Sequence, residues 1–340
     1  MKWKTIEYSK NQIINSGDLI RDDSCDLEKK DEALQIIDNW RASHAYPLHV
    51  IYSYFRRNYA NNDFIVAERL KRLNSIVDKL NREPHMNLWR MQDLGGCRII
   101  APSIDDVYNV VNNYKKSNVR HIFKREYDYI RNPKASGYRG IHLVYQYCSD
   151  KKDTFNRNMN IEIQIRSYKQ HLWATAVEAM GIFTKQALKA GKGKDEMLRF
   201  FSLVSSLLAL DEGTEQVPET PWDKEELIEE IKSLDKKYNI LAFLSGIRAG
   251  TLGIEERYQN QKGYYILILN YDSRMLKLKY FKPSQIDEAT SVYNQIEKTS
   301  GADMVDAVLV YIASINQLKA AYPNYFLNIT EFIEIVNRFL

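Results

Sequence analysis

The chain has few cysteines and no long apolar run. These features argue against a disulfide-rich protein and against a membrane-spanning one. Its 340 residues include only three cysteines, Cys25, Cys97 and Cys148, which stand far apart. This spacing does not suggest a disulfide framework and fits a protein of the reducing cytoplasm. No stretch of about 18 apolar residues is present, so we expect no membrane span. The first ten residues also lack the apolar core of a secretory signal.

A strong excess of one charge is also missing. Lys and Arg number 48 against 44 Asp and Glu, which leaves a formal net charge of +4. This mild basic excess permits an anionic partner without requiring one. The length suffices for two domains of ordinary size, and 44% apolar residues is normal for a globular protein.

The most informative segment is I-E-I-Q-I-R at residues 161–166. Its apolar and polar residues alternate strictly, which is the period of a half-buried strand. The isoleucines should face a core, so Glu162, Gln164 and Arg166 should share the opposite face. A carboxylate, an amide and a guanidinium in one row suit a site for a metal and phosphates.

A second carboxylate, Asp93, comes just before the apolar strand predicted at residues 97–100. Asp93 and Glu162 on neighbouring strands would suit Mg²⁺, which prefers one or two carboxylates together with substrate phosphates. The segment P-K-A-S-G-Y-R at residues 133–139 lies between them in the chain. It combines basic residues with a glycine, so backbone and cation can approach an anion closely.

These motifs resemble the synthetase domain of the RelA/SpoT family, over roughly Tyr46 to Gly181. The resemblance implies a nucleotide pyrophosphokinase in which ATP gives its β,γ-pyrophosphate to a ribose hydroxyl, with Mg²⁺. It also implies an α+β fold, with a mixed β-sheet flanked by helices in the manner of nucleotidyltransferases.

The family's ATP-binding pattern, R-x-K-x-x-x-S-x-x-x-K, is complete at residues 69–79. By resemblance, Arg69 and Arg98 sandwich the adenine, since a planar guanidinium stacks on a ring. The residues expected to meet the phosphates are Lys71, Ser75 and Lys79. Taken alone, this segment is also compatible with a solvated basic helix.

The same resemblance suggests roles around the transferred group. Asp93 would hold Mg²⁺, and Glu162 would assist with the metal and accept the proton of the attacking hydroxyl. Gln164 and Arg166 would orient the substrates and neutralise charge. Tyr138 would offer a stacking face to the acceptor's base, and the expected acceptor-binding residues are Lys134, Tyr138, Arg139, His142 and His171. A lone helical histidine such as His171 is more often structural.

The acceptor is the open question. Many alarmone synthetases carry R-x-K-D before this loop, whereas residues 125–128 here read R-E-Y-D, with Tyr127 in place of the lysine. Loss of that cation disfavours GDP or GTP, and an aromatic ring stacks on any base. Some toxic family members modify the 3′ CCA end of tRNA, so tRNA is the predicted acceptor and a guanine nucleotide the alternative. A catalytically inactive binding protein is disfavoured because both carboxylates are present.

A linker is predicted at residues 211–223, where Gly213, Pro218 and Pro221 stand among acids. It would divide a synthetase domain, residues 1–215, from a smaller α+β module, residues 224–340. That module should contain a charged helix, a β-hairpin, a long amphipathic helix and a last helix, at residues 224–238, 264–281, 302–321 and onward to 340. It has no cysteine and no catalytic carboxylate cluster, which favours a regulatory or binding role.

The appended module resembles that of CapRel, a fused toxin–antitoxin form of the family used against phage. This implies that the module silences the synthetase until a phage protein, such as a capsid protein, binds. The CapRel Y-x-x-Y motif, which blocks the adenine site, is matched by Tyr322 and Tyr325. A tyrosine ring can replace adenine between Arg69 and Arg98 through cation–π contacts; a helix end packed on its own core is the alternative. A monomer or small oligomer is expected.

Four lysines follow the synthetase motifs, at Lys185, Lys189, Lys192 and Lys194. They are typical of a solvated loop, or they provide a phosphate-backbone contact for RNA without sequence readout.

Overall fold

The computed structural model describes most of the chain in ten segments and one single residue. These are residues 3–22, 24–60, 63–150, 153–184, 195–246, 261–270, 275–299, 305–312, 318, 321–322 and 329–340. The predictions for Tyr325 and for the four lysines at 185–194 lie outside them. No helix in the described segments is long and apolar enough to cross a bilayer.

Eleven α-helices and eight strands are described in these segments. The N-terminal part consists of α1 Lys10–Arg21, α2 Leu27–Ser43, α3 Ala45–Tyr59, β1 Ile65–Leu70, α4 Leu73–Arg82, β2 Gly95–Ala101, α5 Ile104–Lys116, β3 Ile122–Asp128, β4 Ile141–Gln146, β5 Asn160–Ser167, α6 Tyr168–Thr184 and α7 Asp195–Asp211. The C-terminal part consists of α8 Lys224–Tyr238, α9 Ile240–Gly246, β6 Gly263–Asn270, β7 Met275–Phe281, α10 Ile286–Thr299, β8 Val305–Ile312 and α11 Thr330–Asn337.

All eight strands form one mixed sheet in the order β3-β4-β5-β2-β1-β8-β6-β7. Only β2 and β5 run parallel; the other neighbouring pairs are antiparallel. The predicted α+β class with a mixed sheet flanked by helices is therefore confirmed, and so is the β6–β7 hairpin. The C-terminal strands extend the same sheet because β8 pairs with β1.

Helices cover both faces of this sheet. One core packs α6, α7, α8, α9 and α11 against it, and a second packs α3, α5 and α10 against the opposite face. A third core joins α1, α2 and α4. The alternation predicted for β5 is present, since Ile161, Ile163 and Ile165 are fully buried while Glu162 and Gln164 remain partly accessible.

The long helix predicted at residues 302–321 is wrong over its described centre, which is strand β8. The run V-D-A-V-L-V-Y-I is rich in β-branched and aromatic residues, which favour strands. Its side chains alternate between cores: Val308, Val310 and Ile312 enter one, and Ala307 and Tyr311 enter the other. A strand buried on both faces is nearly continuously apolar, so periodicity alone does not separate it from a helix.

Candidate active site

A cavity of about 440 Å³ opens where β1, β2, β4 and β5 lie side by side. Ten of the sequence-predicted residues line it: Arg69, Lys71, Lys79, Asp93, Arg98, Lys134, His142, Glu162, Gln164 and Tyr322. The parallel pairing of β2 with β5 explains part of this convergence. It sets Gly96 beside Glu162 and Arg98 beside Gln164, so residues more than 60 positions apart share one wall.

Asp93 is held by two lysines of the ATP-binding pattern. Its Oδ2 accepts a hydrogen bond from Lys71 Nζ at 2.7 Å, and its Oδ1 accepts one from Lys79 Nζ at 3.1 Å. Burial of the Asp93 carboxylate acts to raise its pKa, but the two ammonium groups outweigh burial and hold that pKa below its usual range. Asp93 is therefore an ionised group at neutral pH, directly beside two phosphate-binding candidates.

Glu162 is held by an imidazole and an amide instead. His142 Nδ1 lies 2.9 Å from its Oε1, and Gln164 Nε2 donates to its Oε2 at 2.7 Å. Burial acts to raise the pKa of Glu162, while His142 lowers it and the nearby Asp93 charge raises it; the net pKa is below the usual value. On its other side, His142 Nε2 lies 2.6 Å from the Tyr138 hydroxyl. A chain of hydrogen bonds thus orients the Glu162 carboxylate.

Tyr322 occupies the part of the cavity beside Arg98. Arg98 lies over the Tyr322 ring, with its Cζ 5.8 Å from the ring centroid, and Arg98 Nη1 donates to the Ala321 carbonyl at 3.3 Å. The Tyr322 hydroxyl donates to the Glu68 carbonyl of β1 at 3.3 Å. Only 2% of Tyr322 is exposed, so the ring is packed between the sheet and the C-terminal part.

Sequence reasoning singled out Tyr127 on the acceptor side but missed Tyr129, which pairs with it in the cavity wall. Tyr127 and Tyr129 both line the cavity, with ring centroids 5.8 Å apart and planes inclined by 7°. Lys134 Nζ lies 4.3 Å from the centre of the Tyr129 ring. The i, i+2 spacing of the two tyrosines, at the end of β3, was a signal that they share a face. Gln92, Gly96 and Cys97 are further lining residues without a predicted role.

Five predicted residues do not line this cavity: Ser75, Tyr138, Arg139, Arg166 and His171. Tyr138 is 7% exposed, so its ring offers no open stacking face; it contacts the cavity-lining residues Tyr129, Lys134 and His142.

Both predicted arginines on this side are buried elsewhere. Arg166 Nη2 and His171 Nδ1 lie 2.7 Å apart within the protein, and burial, followed by the positive charge of Arg98, lowers the pKa of Arg166. Arg139 pairs with Glu212, and both side chains are almost fully enclosed. The β-strand period gave Arg166 the correct face of β5, but Arg166 is 3% exposed and pairs with His171 of α6, the helix that directly follows β5.

The donor set fits Mg²⁺ bound together with a nucleotide. Two carboxylates, Asp93 and Glu162, line the same cavity, and each carboxylate can accept further contacts beyond its present ones. Across the described segments, no group of three or more His, Cys, Asp or Glu side chains is arranged to hold a metal alone. This combination matches a hard cation that takes one or two carboxylates and completes its shell with phosphate oxygens and water.

Comparisons with known proteins agree with this geometry. Residues 68–187 match the family described as "Region found in RelA / SpoT proteins". GTP pyrophosphokinase YwaC of Bacillus subtilis (strain 168) is 37% identical over 112 residues, which are 32% of this chain and 52% of the relative. GTP pyrophosphokinase YjbM of the same strain is 33% identical over 112 residues, with the same two shares. The chain spans about half the length of these curated relatives.

Among solved structures, the small alarmone synthetase 1 of Bacillus subtilis bound to its product pppGpp is similar. It has 23% sequence identity and a TM-score of 0.42, over 51% of this chain and 92% of that chain. Apart from Tyr322, the residues that line the cavity come from β1 to β5, α4 and the adjoining loops, and all of them lie within residues 68–187. Residues 68–187 are therefore similar to a region found in RelA/SpoT proteins.

Proposed function

We propose that the protein is an ATP-dependent pyrophosphokinase that transfers pyrophosphate to a ribose hydroxyl of a guanine nucleotide. The observation that carries this proposal is the convergence of Asp93 and Glu162 with five cationic side chains in one cavity. Phosphoryl-type transfer depends mainly on in-line placement and neutralisation of charge, which such a set supplies. The names of the similar Bacillus proteins, both GTP pyrophosphokinases, support the guanine acceptor.

The reaction assigns a role to each wall of the cavity. Arg69 and Arg98 bind the adenine of ATP, and Lys71 and Lys79 meet its phosphates. The acceptor hydroxyl attacks the β-phosphorus, the bond from that phosphorus to the α,β-bridging oxygen breaks, and AMP leaves. Glu162 takes the hydroxyl proton.

Asp93 and Glu162 would also hold Mg²⁺, which neutralises charge on the phosphate oxygens when bound. Gln164 and His142 keep the Glu162 carboxylate oriented, as their contacts of 2.7 and 2.9 Å indicate. Lys134, whose pKa is lowered by burial, adds a cation on the acceptor side.

A tRNA 3′ end is a second candidate acceptor, and a specific observation favours it. Tyr127 replaces the lysine found in many alarmone synthetases, and its ring stacks with Tyr129 in the cavity wall. Aromatic faces stack on bases without sequence preference. The acceptor is identified by incubating the protein with γ-labelled ATP and a mixture of GDP, GTP and tRNA. We expect label on the guanine nucleotides; label on tRNA alone would assign the RNA acceptor instead.

We further propose that residues 224–340 act as a regulatory unit on the synthetase unit, residues 1–215. The support is Tyr322, whose ring stands under Arg98 where adenine would stack. In this closed arrangement ATP has to displace Tyr322. A phage protein, such as a capsid protein, that binds the regulatory unit and withdraws Tyr322 would open the site, as in a fused toxin–antitoxin protein.

Tyr322 variants of the full chain test the blocking role. Tyr322→Ala should bind a fluorescent ATP analogue about 2- to 30-fold more tightly, which corresponds to a lost cation–π contact of ~0.5–2 kcal/mol. Tyr322→Phe retains the ring and should bind the analogue as the parent does. Equal affinity of the parent and Tyr322→Ala would show that the ring does not compete with adenine.

A further inference from the structure

The loop between β3 and β4, residues 129–140, carries Lys134 to the cavity and is closed by its own backbone. Tyr129 N donates to the Gly140 carbonyl at 2.9 Å across its base. Nearer its tip, Lys134 N donates to the Tyr138 carbonyl at 3.2 Å, and Gly137 N donates to the Lys134 carbonyl at 2.8 Å. The position of Lys134 therefore depends on where this closed loop sits as a unit.

The loop packs against helix α7. Gly137 has a φ of +90°, and a Cβ there would lie 2.6 Å from Trp173 Cζ2 and 3.2 Å from the Phe201 carbonyl oxygen. Only glycine can adopt this positive φ and also fit this close to Trp173 and Phe201 without displacing them. The Ser205 hydroxyl of α7 donates to the Gly137 carbonyl at 2.6 Å, which fixes the loop against the helix.

The strongest anchor is a buried ion pair just beyond α7. Arg139 Nη1 donates to Glu212 Oε2 at 2.8 Å and to Thr214 Oγ1 at 3.0 Å, while Arg139 Nε donates to Ser205 Oγ at 3.1 Å. The side chains of Arg139 and Glu212 are 1% and 5% exposed. Such a pair is costly to break, because removal of one partner leaves a buried charge without compensation.

Glu212 also contacts β5. Its Oε1 accepts a hydrogen bond from the Ser167 hydroxyl at the end of β5, the strand that carries Glu162. One carboxylate thus connects the loop that bears Lys134 with the strand that bears Glu162. Glu212 lies in the segment predicted to be a linker and outside residues 68–187 that match the family.

We infer that Glu212 is a positioning residue for pyrophosphoryl transfer: through Arg139 and Ser167 it sets Lys134 relative to Glu162. This inference rests on the proposed function. Glu212 forms no hydrogen bond with the residues assigned to ATP, which lie on β1, on α4, between these two elements and on β2. Its loss should therefore impair the transfer step and spare ATP binding.

The test uses the full chain in the Tyr322→Ala background, with three further substitutions. Glu212→Gln keeps the shape and removes the charge, Glu212→Asp keeps the charge, and Glu215→Gln alters an exposed glutamate of the same segment. Two readouts are taken: kcat and KM for ATP and for the acceptor, and hydrogen exchange of residues 129–140.

We expect Glu212→Gln to lower kcat by about 10- to 100-fold, because small misplacements of a positioned group have effects of this size. The KM for ATP should stay within about twofold of the parent's value, because Glu212 forms no hydrogen bond with the residues assigned to ATP. The backbone amides of residues 129–140 should exchange faster. Glu212→Asp should restore part of kcat, and Glu215→Gln should match its parent.

Two results would overturn the inference. One is a kcat and a loop exchange in Glu212→Gln equal to those of the parent. The other is faster exchange throughout the sheet with a raised KM for ATP, which would mean general destabilisation. A parent that transfers no pyrophosphate to any acceptor would contradict the proposed function instead, and the exchange data would still decide whether Glu212 fixes the loop.

Discussion

At the scale of single residues, the two carboxylates of the cavity differ in what holds them. Asp93 is neutralised by Lys71 and Lys79, whereas Glu162 is oriented by His142 and Gln164. The pKa of both carboxylates is below the usual value, so their partners rather than their pKa values distinguish them. This difference in partners supports the proposed division of roles, with Asp93 toward the metal and Glu162 toward the proton.

Replacement of Glu162 by glutamine tests that division. Glu162→Gln should lower transfer by about 10²- to 10⁴-fold, the usual contribution of a general base. Binding of a fluorescent ATP analogue should change little, since Arg69, Arg98, Lys71 and Lys79 are untouched. Unchanged transfer would remove Glu162 from the proton step; a matched loss of binding would assign it to ATP instead.

A second residue, His44, makes stability depend on pH. It is fully buried where α2 meets α3, and its Nδ1 donates to the Trp40 carbonyl at 2.7 Å. Burial lowers the pKa of His44 from 6.5 to about 4. Between these values the unfolded chain binds a proton that the folded protein does not, so stability falls as pH falls.

The His44 contribution should be fully present above about pH 6.5 and lost as pH falls toward about 4, with a total of up to about 3 kcal/mol. Urea unfolding at pH 7.5, 6 and 5 measures it, and His44→Gln should flatten this dependence. His85→Gln, at an exposed position, should retain the parent's slope. Parallel slopes for all three proteins would contradict the account.

At the scale of elements, sequence pattern predicted the strands that have one polar face. The alternation of β5 placed Glu162 and Gln164 correctly because water or the cavity lies on one side only. The same reasoning failed for β8, whose side chains enter two cores. It also failed for Arg139, since nothing in the sequence marks Glu212, 73 residues away, as its partner.

Helix α10 contacts the ATP-binding pattern through a second buried network. Glu297 Oε2 lies 3.1 Å from Arg41 Nη1, and its Oε1 accepts from Leu73 N at 3.2 Å, at the start of α4. Asn294 Oδ1 accepts from Arg41 Nη2 at 2.7 Å. The side chain of Arg72, the N-cap residue, makes no capping hydrogen bond at the start of α4. The Glu297 carboxylate, from the C-terminal part, supplies the cap instead.

Loss of that contact should be costly for folding. Glu297→Ala leaves Arg41 buried with Asp38 as its remaining carboxylate and should destabilise the chain by about 3 kcal/mol. Glu288→Ala, on the exposed side of α10, should stay within about 0.5 kcal/mol of the parent. Urea unfolding measures both; equal midpoints for the two variants would show that the network adds nothing.

At the scale of the whole molecule, the two predicted units contribute strands to one continuous sheet. β8 pairs with β1 through Glu68↔Tyr311 and Arg69↔Val310, so a C-terminal strand lies beside the one that bears Arg69. The composition of residues 211–223 predicts a linker in the chain, but it contains no information on strand pairing across it. Opening of the ATP site by the regulatory unit would therefore involve the β1–β8 contact as well as Tyr322.

A chain that ends at residue 223 tests how far the units depend on each other. It would expose the edge of β1 and leave Arg41 without Glu297 and Asn294. Exposed strand edges promote association, so this fragment should elute as larger species and melt earlier than the full chain. A monodisperse fragment with the parent's melting temperature would show that residues 1–223 fold independently.

The most direct test of the central claim is transfer from γ-labelled ATP by the full-length Tyr322→Ala variant. With Mg²⁺ and a guanine nucleotide, the account predicts label on that nucleotide, one AMP released per label transferred, and neither product when Glu162→Gln is added. Hydrolysis of ATP to ADP without AMP, or no labelled product with guanine nucleotides or tRNA, would contradict pyrophosphoryl transfer at this cavity.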